Sequence, residues 1–221
     1  MTEPTFLDAT DEIGRRDILQ GCPRRRFPSG AFVFHAGEAG DTLHLVRKGR
    51  VAVMAPQSLG EMRTLAILGV GEPFGEMAIL LEGHRRTATV QALEPTETQV
   101  LSRSQVEELR ASGRAIDRFL VDLLARRVDR LTAQLIELTE VPAPVRVYRR
   151  IVDLATLFAA TKPGSDIPVT QAQIASMAGA KLRITNKVIT DARRDGLVET
   201  GWHRLTVLDL PEIRRRAKQG G

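Results

Sequence analysis

The stretch FGEMAILLEGHRRTATV, Phe74 to Val90, holds the densest set of chemically useful residues in the chain. Gly75 and Glu76 open a short helical turn whose backbone N–H groups can hold an anion, and Arg85, Arg86 and Thr87 return on a following strand. An arginine fork beside a hydroxyl and free amides suits a pair of phosphate oxygens. Glu76, acceptor-only when ionised, is unsuited to phosphate and suited to a ribose hydroxyl. The set describes a sugar-phosphate ligand. Chemistry on that ligand would need a nucleophile or base with a partner, and no Ser/His/Asp set, paired carboxylates or GxxxxGK[ST] loop is visible.

Other chemistries fall away by counting. Cys22 is the single cysteine of the 221 residues, too few thiolates for a disulfide framework, a cysteine-ligated zinc or an iron-sulfur cluster. His35, His44, His84 and His203 are scattered without metal-ligand spacing, so neither a metal nor a heme is expected. Apolar runs such as Met77 to Leu81 fall far short of the roughly 20 residues a bilayer span needs, and no membrane partner is expected. The opening MTEPTFLDATDEIGRRD puts acids before bases and lacks an apolar core, so the expected location is the cytoplasm. Residues 1–140 carry 18 Lys/Arg against 20 Asp/Glu, whereas residues 141–221 carry 14 against 7. A basic excess confined to the last third points to a polyanion there, most plausibly nucleic acid.

The elements that must position these groups change type along the chain. From Phe27 to about Leu101, six short apolar or alternating segments (32–34, 43–46, 51–54, 64–68, 87–92 and 98–101) are broken by glycines, which predicts a rolled antiparallel sheet. Ile116, Leu120, Leu123, Leu124, Val128, Leu131, Leu135 and Leu138 then recur in steps of three and four, a long helical stripe suited to a dimer seam or to packing on its own roll. Pro142 and Pro144 stop it. A helix from Val145 to about Ala160 follows. Thr170 is an N-cap for 171–177 with Gln173 as capping-box partner, Gly179 makes a tight turn, a helix runs over about 181–195, and two β-like pieces flank Gly201 and Trp202 as a small wing. The fold class is therefore α+β: a jelly-roll-like β-roll over 1–111, a dimerisation helix over 112–140 and a winged helix-turn-helix domain over 141–221.

FGEMAI followed by RRTATV resembles the phosphate-binding cassette of cyclic-nucleotide-binding domains, and VFHAGEAGDTLHLVRKGRV, Val33 to Val51, resembles the glycine-punctuated opening of the same roll. With the long helix and the helix-turn-helix, the chain resembles the catabolite activator branch of the Crp/Fnr transcription regulators over roughly residues 25 to 210. The resemblance implies a cyclic nucleotide, cyclic AMP or cyclic GMP, as effector. It implies that Glu76 takes the ribose 2′-hydroxyl and Arg86 the cyclic phosphate, with Thr87 and the backbone of Gly75, Glu76, Met77 and Ala88 completing the anion site. It also puts Arg127 close to the ligand and Thr132 at the base. Leu131 departs from the pattern where catabolite activators carry another hydroxyl, and Thr87 resembles the cyclic-GMP-preferring domains, so the choice of base stays open.

In VTQAQIASMAGAKLRITNKVITDARRDGLVE the second helix should lie in the major groove. By the same resemblance, Lys181, Leu182, Arg183 and Lys187 face double-stranded DNA. Arg183 can make a bidentate contact to guanine, and Leu182 can touch a thymine methyl. Thr170, Gln171 and Arg204 are better suited to phosphates. The Arg-Glu…Arg set of catabolite activators is absent, which predicts a different pseudo-palindromic operator. The expected protein is a non-enzymatic homodimeric regulator, with RNA polymerase as a further partner. The rival reading is a ligand-independent repressor whose roll serves only for dimerisation.

Overall fold

Strands Thr42–Lys48 (β3) and Thr96–Ser102 (β8) pair antiparallel along their lengths, Leu43 facing Leu101 and Leu45 facing Gln99. Arg24–Phe27 (β1) joins the far edge of β8 and Pro73–Phe74 (β6) the far edge of β3, giving one four-stranded sheet. A second sheet has Phe32–Phe34 (β2), Thr89–Ala92 (β7), Val51–Pro56 (β4) and Met62–Leu68 (β5) side by side, all antiparallel. Phe34, Val46, Val51, Leu68, Phe74 and Val90 fill the space between them. This is the expected roll. The computed structural model describes residues 21–57, 62–81, 83, 85–112 and 115–218. The opening segment and His84 lie outside the described residues.

The chain packs as two units, Met1–Arg130 and Leu131–Gly221. In the first, Met77–Leu80 (α1) is one helical turn and Arg103–Ser112 (α2) follows β8 directly. The long helix, Ala115–Glu140 (α3), runs through the division. Its stripe divides by burial. Ile116, Phe119 and Leu120 are buried with Leu43, Leu45, Leu101 and Val106, so the opening turns pack on the chain's own roll. Val121, Val128, Leu131 and Leu135 are more than half exposed. No helix among the described residues is long and apolar enough to cross a membrane.

In the second unit Ala143–Leu157 (α4), Gln171–Met177 (α5), Leu182–Arg194 (α6) and Leu210–Arg216 (α7) surround a three-stranded sheet of Ser165–Ile167 (β9), Val198–Gly201 (β10) and Arg204–Val207 (β11). Pro142 is the N-cap of α4 and Pro144 lies in its first turn, so the proline pair begins a helix as well as ending one. A first-turn proline lacks only an N–H that has no helical partner anyway. Thr170 and Gln173 form the expected reciprocal capping box. Gly179 takes φ +56, and a Cβ there would stand 2.2 Å from Leu138 Cδ2, so the turn between α5 and α6 sits against the end of α3. Arg146, buried at the start of α4, donates from Nε to the Ala178 carbonyl at 2.8 Å and from Nη2 to the Gly179 carbonyl at 2.9 Å. Its Nη1 donates to the carbonyls of Val141 and Leu138. Ile174, Ala175, Val188, Ile189 and Ala192 supply the apolar contact between the crossed helices.

Candidate functional site

Arg86 is fixed by its own main chain before its side chain is considered. Its N–H donates to the Glu38 carbonyl at 2.9 Å, and its carbonyl accepts from the Gly37 N–H at 2.8 Å. The expected strand therefore starts later, at Thr89, leaving Arg85 as an isolated bridge to Ala39 and Arg86 between them. The guanidinium turns inward, 6% exposed. Nη1 donates to the Thr42 and Gly75 carbonyls at 2.7 and 3.1 Å, and Nη2 to Thr42 Oγ1 at 2.6 Å. Its Cζ lies 4.0 Å from the centre of the Phe34 ring. Among the described residues these partners are all neutral and the cation forms no ion pair. Burial lowers its pKa, opposed by the negative charges of Asp41, Glu38 and Glu76. Arg85 is exposed and donates to the Gly37 carbonyl.

Two glycines leave room for this guanidinium. A Cβ on Gly75, already at φ +85, would meet Arg86 Nη1 at 2.6 Å; one on Gly40 would meet Arg86 Nε at 2.8 Å and Ala78 Cβ at 2.5 Å. Glu76 follows as the N-cap of α1, its carbonyl accepting from Ile79 and Leu80. Arg103 closes the other end of that turn by donating to the Ala78 and Ile79 carbonyls. The Glu76 carboxylate is 1% exposed, and Arg127 from α3 donates to its Oε1. Burial raises the Glu76 pKa, an effect that the Arg127 and Arg86 charges oppose.

Two buried polar atoms here have no hydrogen-bond partner: Glu76 Oε2, an acceptor, and Arg86 Nε, a donor. Such atoms are costly to leave unmet in a closed core. A ligand offering a hydroxyl proton to the one and an anionic oxygen to the other satisfies both. A ribose joined to a phosphate has that chemistry, so the residues present fit a cyclic nucleotide. Gly75, Glu76, Met77, Arg86, Ala88 and Arg127 lie in the first unit with Thr87 exposed beside them. Thr132 stands further along α3, beyond the division between units. Sequence reading missed Thr42, Phe34 and Gly40. The GDT run after Gly37 was the available signal, but nothing local says that Thr42 receives an arginine from residue 86.

Behind Thr42 lies a second arrangement that the sequence did not announce. Thr42 Oγ1 is 3.3 Å from His44 Nε2, and His44 Nδ1 is 3.1 Å from Thr98 Oγ1. Since Arg86 can only donate to Thr42, the threonine proton is free for Nε2, which leaves the His44 proton on Nδ1, facing Thr98. His44 stacks on Phe74 with ring centres 5.0 Å apart. Burial, then the Arg86 and Arg25 charges, lower its pKa to about 3.

In the second unit α6 presents Lys181, Leu182, Arg183, Asn186, Lys187 and Thr190 to solvent while Thr185, Val188, Ile189 and Ala192 face inward. Lys181 is the N-cap of α6, so the helix proper starts at Leu182. Asn186 and Thr190 extend the exposed face by one and two turns beyond Leu182 and were not singled out from sequence. Thr170 spends its hydroxyl lone pair on the Gln173 N–H. Arg204 pairs with Asp166 at 3.2 Å across β11 and β9.

Residues 24–112 match the cyclic nucleotide-binding domain family and residues 145–216 the Crp-like helix-turn-helix domain family. The chain is 30% identical to the cAMP-activated global transcriptional regulator CRP of Haemophilus influenzae over 85% of its length and 87% of that protein. It is 32% identical to the cyclic AMP receptor protein of Thermus thermophilus, covering 80% of each. A c-di-GMP-responsive global regulator of Xanthomonas campestris shares the fold, with a TM-score of 0.73 over 90% of this chain and 100% of that one, at 23% identity. A cyclic-nucleotide-binding roll followed by a DNA-binding helix-turn-helix is the architecture of a transcription regulator, not an enzyme. The chain belongs to the Crp/Fnr family.

Proposed function

We propose that this regulator is a cytoplasmic homodimer that binds a cyclic mononucleotide in the roll and reads a pseudo-palindromic operator with α6, the ligand biasing the two helix-turn-helix units toward the DNA-competent arrangement. The observation that carries the reading is that Glu76 Oε2 and Arg86 Nε, an acceptor and a donor, are both buried without hydrogen-bond partners. Arg86 would hold the phosphate, Glu76 the ribose hydroxyl, and the Gly75, Glu76, Met77 and Ala88 backbone with Thr87 the remaining oxygens. Arg127 and Thr132 would bring α3 to the ligand. Cyclic AMP is favoured by the names of the relatives; cyclic GMP is the rival that Thr87 supports. The exposed apolar stripe of α3 supports the dimer. RNA polymerase is proposed as the partner through which bound operator affects transcription. The ligand-independent reading is favoured by one observation, that Arg127 already engages Glu76 Oε1.

Calorimetric titration with cyclic AMP and cyclic GMP in turn decides between them. Saturable binding to one supports an effector pocket and names the base. Absence of heat with both, in a protein that binds DNA, overturns the effector reading in favour of the scaffold.

A further inference from the structure

Helices α4 and α7 pack on one another, and residues of both line an open hollow of about 340 Å³ to which Val152 and Ala217 give apolar wall. That size suits a small organic molecule. Four cations, Arg149, Arg150, Arg214 and Lys218, line the same hollow with one carboxylate, Asp153. Basic residues at the end of α7 complement that helix's dipole, but Arg149 and Arg150 stand in the middle of α4, where no dipole accounts for them.

The two arginines of α4 are fixed by their neighbours. Arg149 donates from Nε to the Ala217 carbonyl at 3.0 Å and from Nη1 to Glu137 Oε1 at 3.3 Å. Arg150 reaches Glu137 from Nη2 at 2.7 Å and Asp153 from Nη1 at 3.0 Å, and its Nε is a buried donor without a partner. Arg214 and Lys218 are exposed, and among the described residues neither has a carboxylate partner, whereas the intervening Arg215 and Arg216 are tied to Glu212. Even with Glu137 counted beside Asp153, two carboxylates stand against four cations. The hollow is therefore short of two negative charges. Positioned guanidinium groups, two unpaired cations and an apolar wall suit a doubly charged anion on a compact organic body. A cyclic nucleotide, with one charge on a diester, does not match. Nor does the duplex read by α6: Arg216 pairs with Asp195, the C-cap of α6, at 2.9 Å, which puts this part of α7 at the end of that helix opposite Lys181 and Arg183.

From these observations we infer that the α4–α7 hollow is a second small-molecule site, taking a compact phosphate monoester whose dianion meets Arg214, Lys218 and the remaining N–H groups of Arg149 and Arg150 while its organic body lies on Val152 and Ala217. Such a monoester carries close to two negative charges at pH 7. The site is independent of the roll and of its effector. Because Arg149 and Arg150 also hold Glu137 of α3, its occupancy draws on the ion pairs that join the last turns of α3 to α4.

Phenyl phosphate, a dianion on a small apolar body, is the probe. The full-length protein is titrated with it by calorimetry, and in parallel with inorganic phosphate and with benzenesulfonate, which has nearly the same shape and one charge. The expected result is saturable binding of phenyl phosphate with a Kd of about 1 mM or below. Inorganic phosphate should bind about tenfold more weakly for want of the apolar body, and benzenesulfonate about tenfold more weakly for want of the second charge. Replacing Arg214 and Lys218 together by alanine should abolish binding, while Arg86→Ala in the roll should leave it as it is. Both replaced side chains are exposed, so the double variant should melt like the parent; should it not, Lys218→Gln alone, expected to weaken binding about fivefold, carries the test. Absence of saturable binding to the parent overturns the site. Loss of binding in Arg86→Ala assigns the probe to the roll and overturns it, as does undiminished binding in the double variant. Equal affinity for benzenesulfonate reduces the hollow to a counter-ion atmosphere and overturns it too. If phenyl phosphate fails to bind while the double variant loses affinity for a mixed-sequence DNA duplex, the cations belong to the nucleic-acid surface and the site is likewise overturned.

Discussion

Arg86 holds its guanidinium 4.0 Å above the Phe34 ring while Nη1 and Nη2 donate only to the carbonyls of Thr42 and Gly75 and the hydroxyl of Thr42. A buried cation on neutral partners keeps its full charge available to an incoming anion. Arg86→Ala should therefore weaken cyclic-nucleotide binding by about 2–5 kcal/mol, read by calorimetry. Arg86→Lys keeps the charge but not the fork, so it should recover only part of the affinity. Unchanged affinity in the alanine variant removes Arg86 from the pocket.

Gly75→Ala tests the cradle rather than the charge. The new Cβ would stand 2.6 Å from Arg86 Nη1 and 3.0 Å from the Thr42 carbonyl, at a φ of +85. We expect a loss of about 1–3 kcal/mol in thermal or denaturant stability together with weakened ligand binding, because the backbone is strained and the guanidinium displaced. A variant that melts and binds like the parent contradicts the cradle.

His44 gives stability a pH dependence with a defined sign. Its folded pKa is depressed to about 3 from an ordinary 6.5, so the folded state binds the proton less readily than the unfolded state. The contribution is complete above about pH 6.5 and declines as pH falls toward 3. Between pH 7 and pH 5 the loss should be about 2 kcal/mol, measured by urea denaturation. His44→Gln removes this titration, and a slope identical to the parent's would assign the dependence to another group.

Val128 is 63% exposed on α3, and Leu131 and Leu135 beside it are exposed to similar degrees. If this stripe is the dimer seam, Val128→Asp should shift the sedimentation coefficient to that of a monomer without unfolding the roll, since two aspartates would face each other across the seam. A dimer that persists at micromolar concentration contradicts the assignment.

Arg183 and Lys187 should separate by kind of contact. Arg183→Ala is expected to lose about 1–3 kcal/mol of discrimination at one guanine, measured with single-base operator variants. Uniform weakening across all variants would mean that Arg183 touches a phosphate instead.

Local signals made much of this legible. Glycine-broken alternation marked the long strands, and the Thr170–Gln173 capping box and Gly179 marked the helix-turn-helix residue by residue. The two-residue strand Pro73–Phe74 is too short for a period, and the helix Arg103–Ser112 has only a weak apolar stripe, so neither stood out. The pocket was half visible. Glu76 and Arg86 sit in one motif, but Thr42 lies 44 residues from Arg86, and the Arg127 partner of Glu76 lies 51 away, pairings that depend on how the sheets and helix close rather than on any local pattern.

The buried Arg146 binds the carbonyls of Leu138 and Val141 on one side of Pro142 to those of Ala178 and Gly179 on the other. For anyone building chimeric regulators, the natural splice is consequently not at the proline pair. A transplanted reading head should carry everything from Leu138 onward, with its own arginine and its own leucine under Gly179. A graft cut at Pro142 would leave a guanidinium facing foreign carbonyls and a glycine turn without its cover.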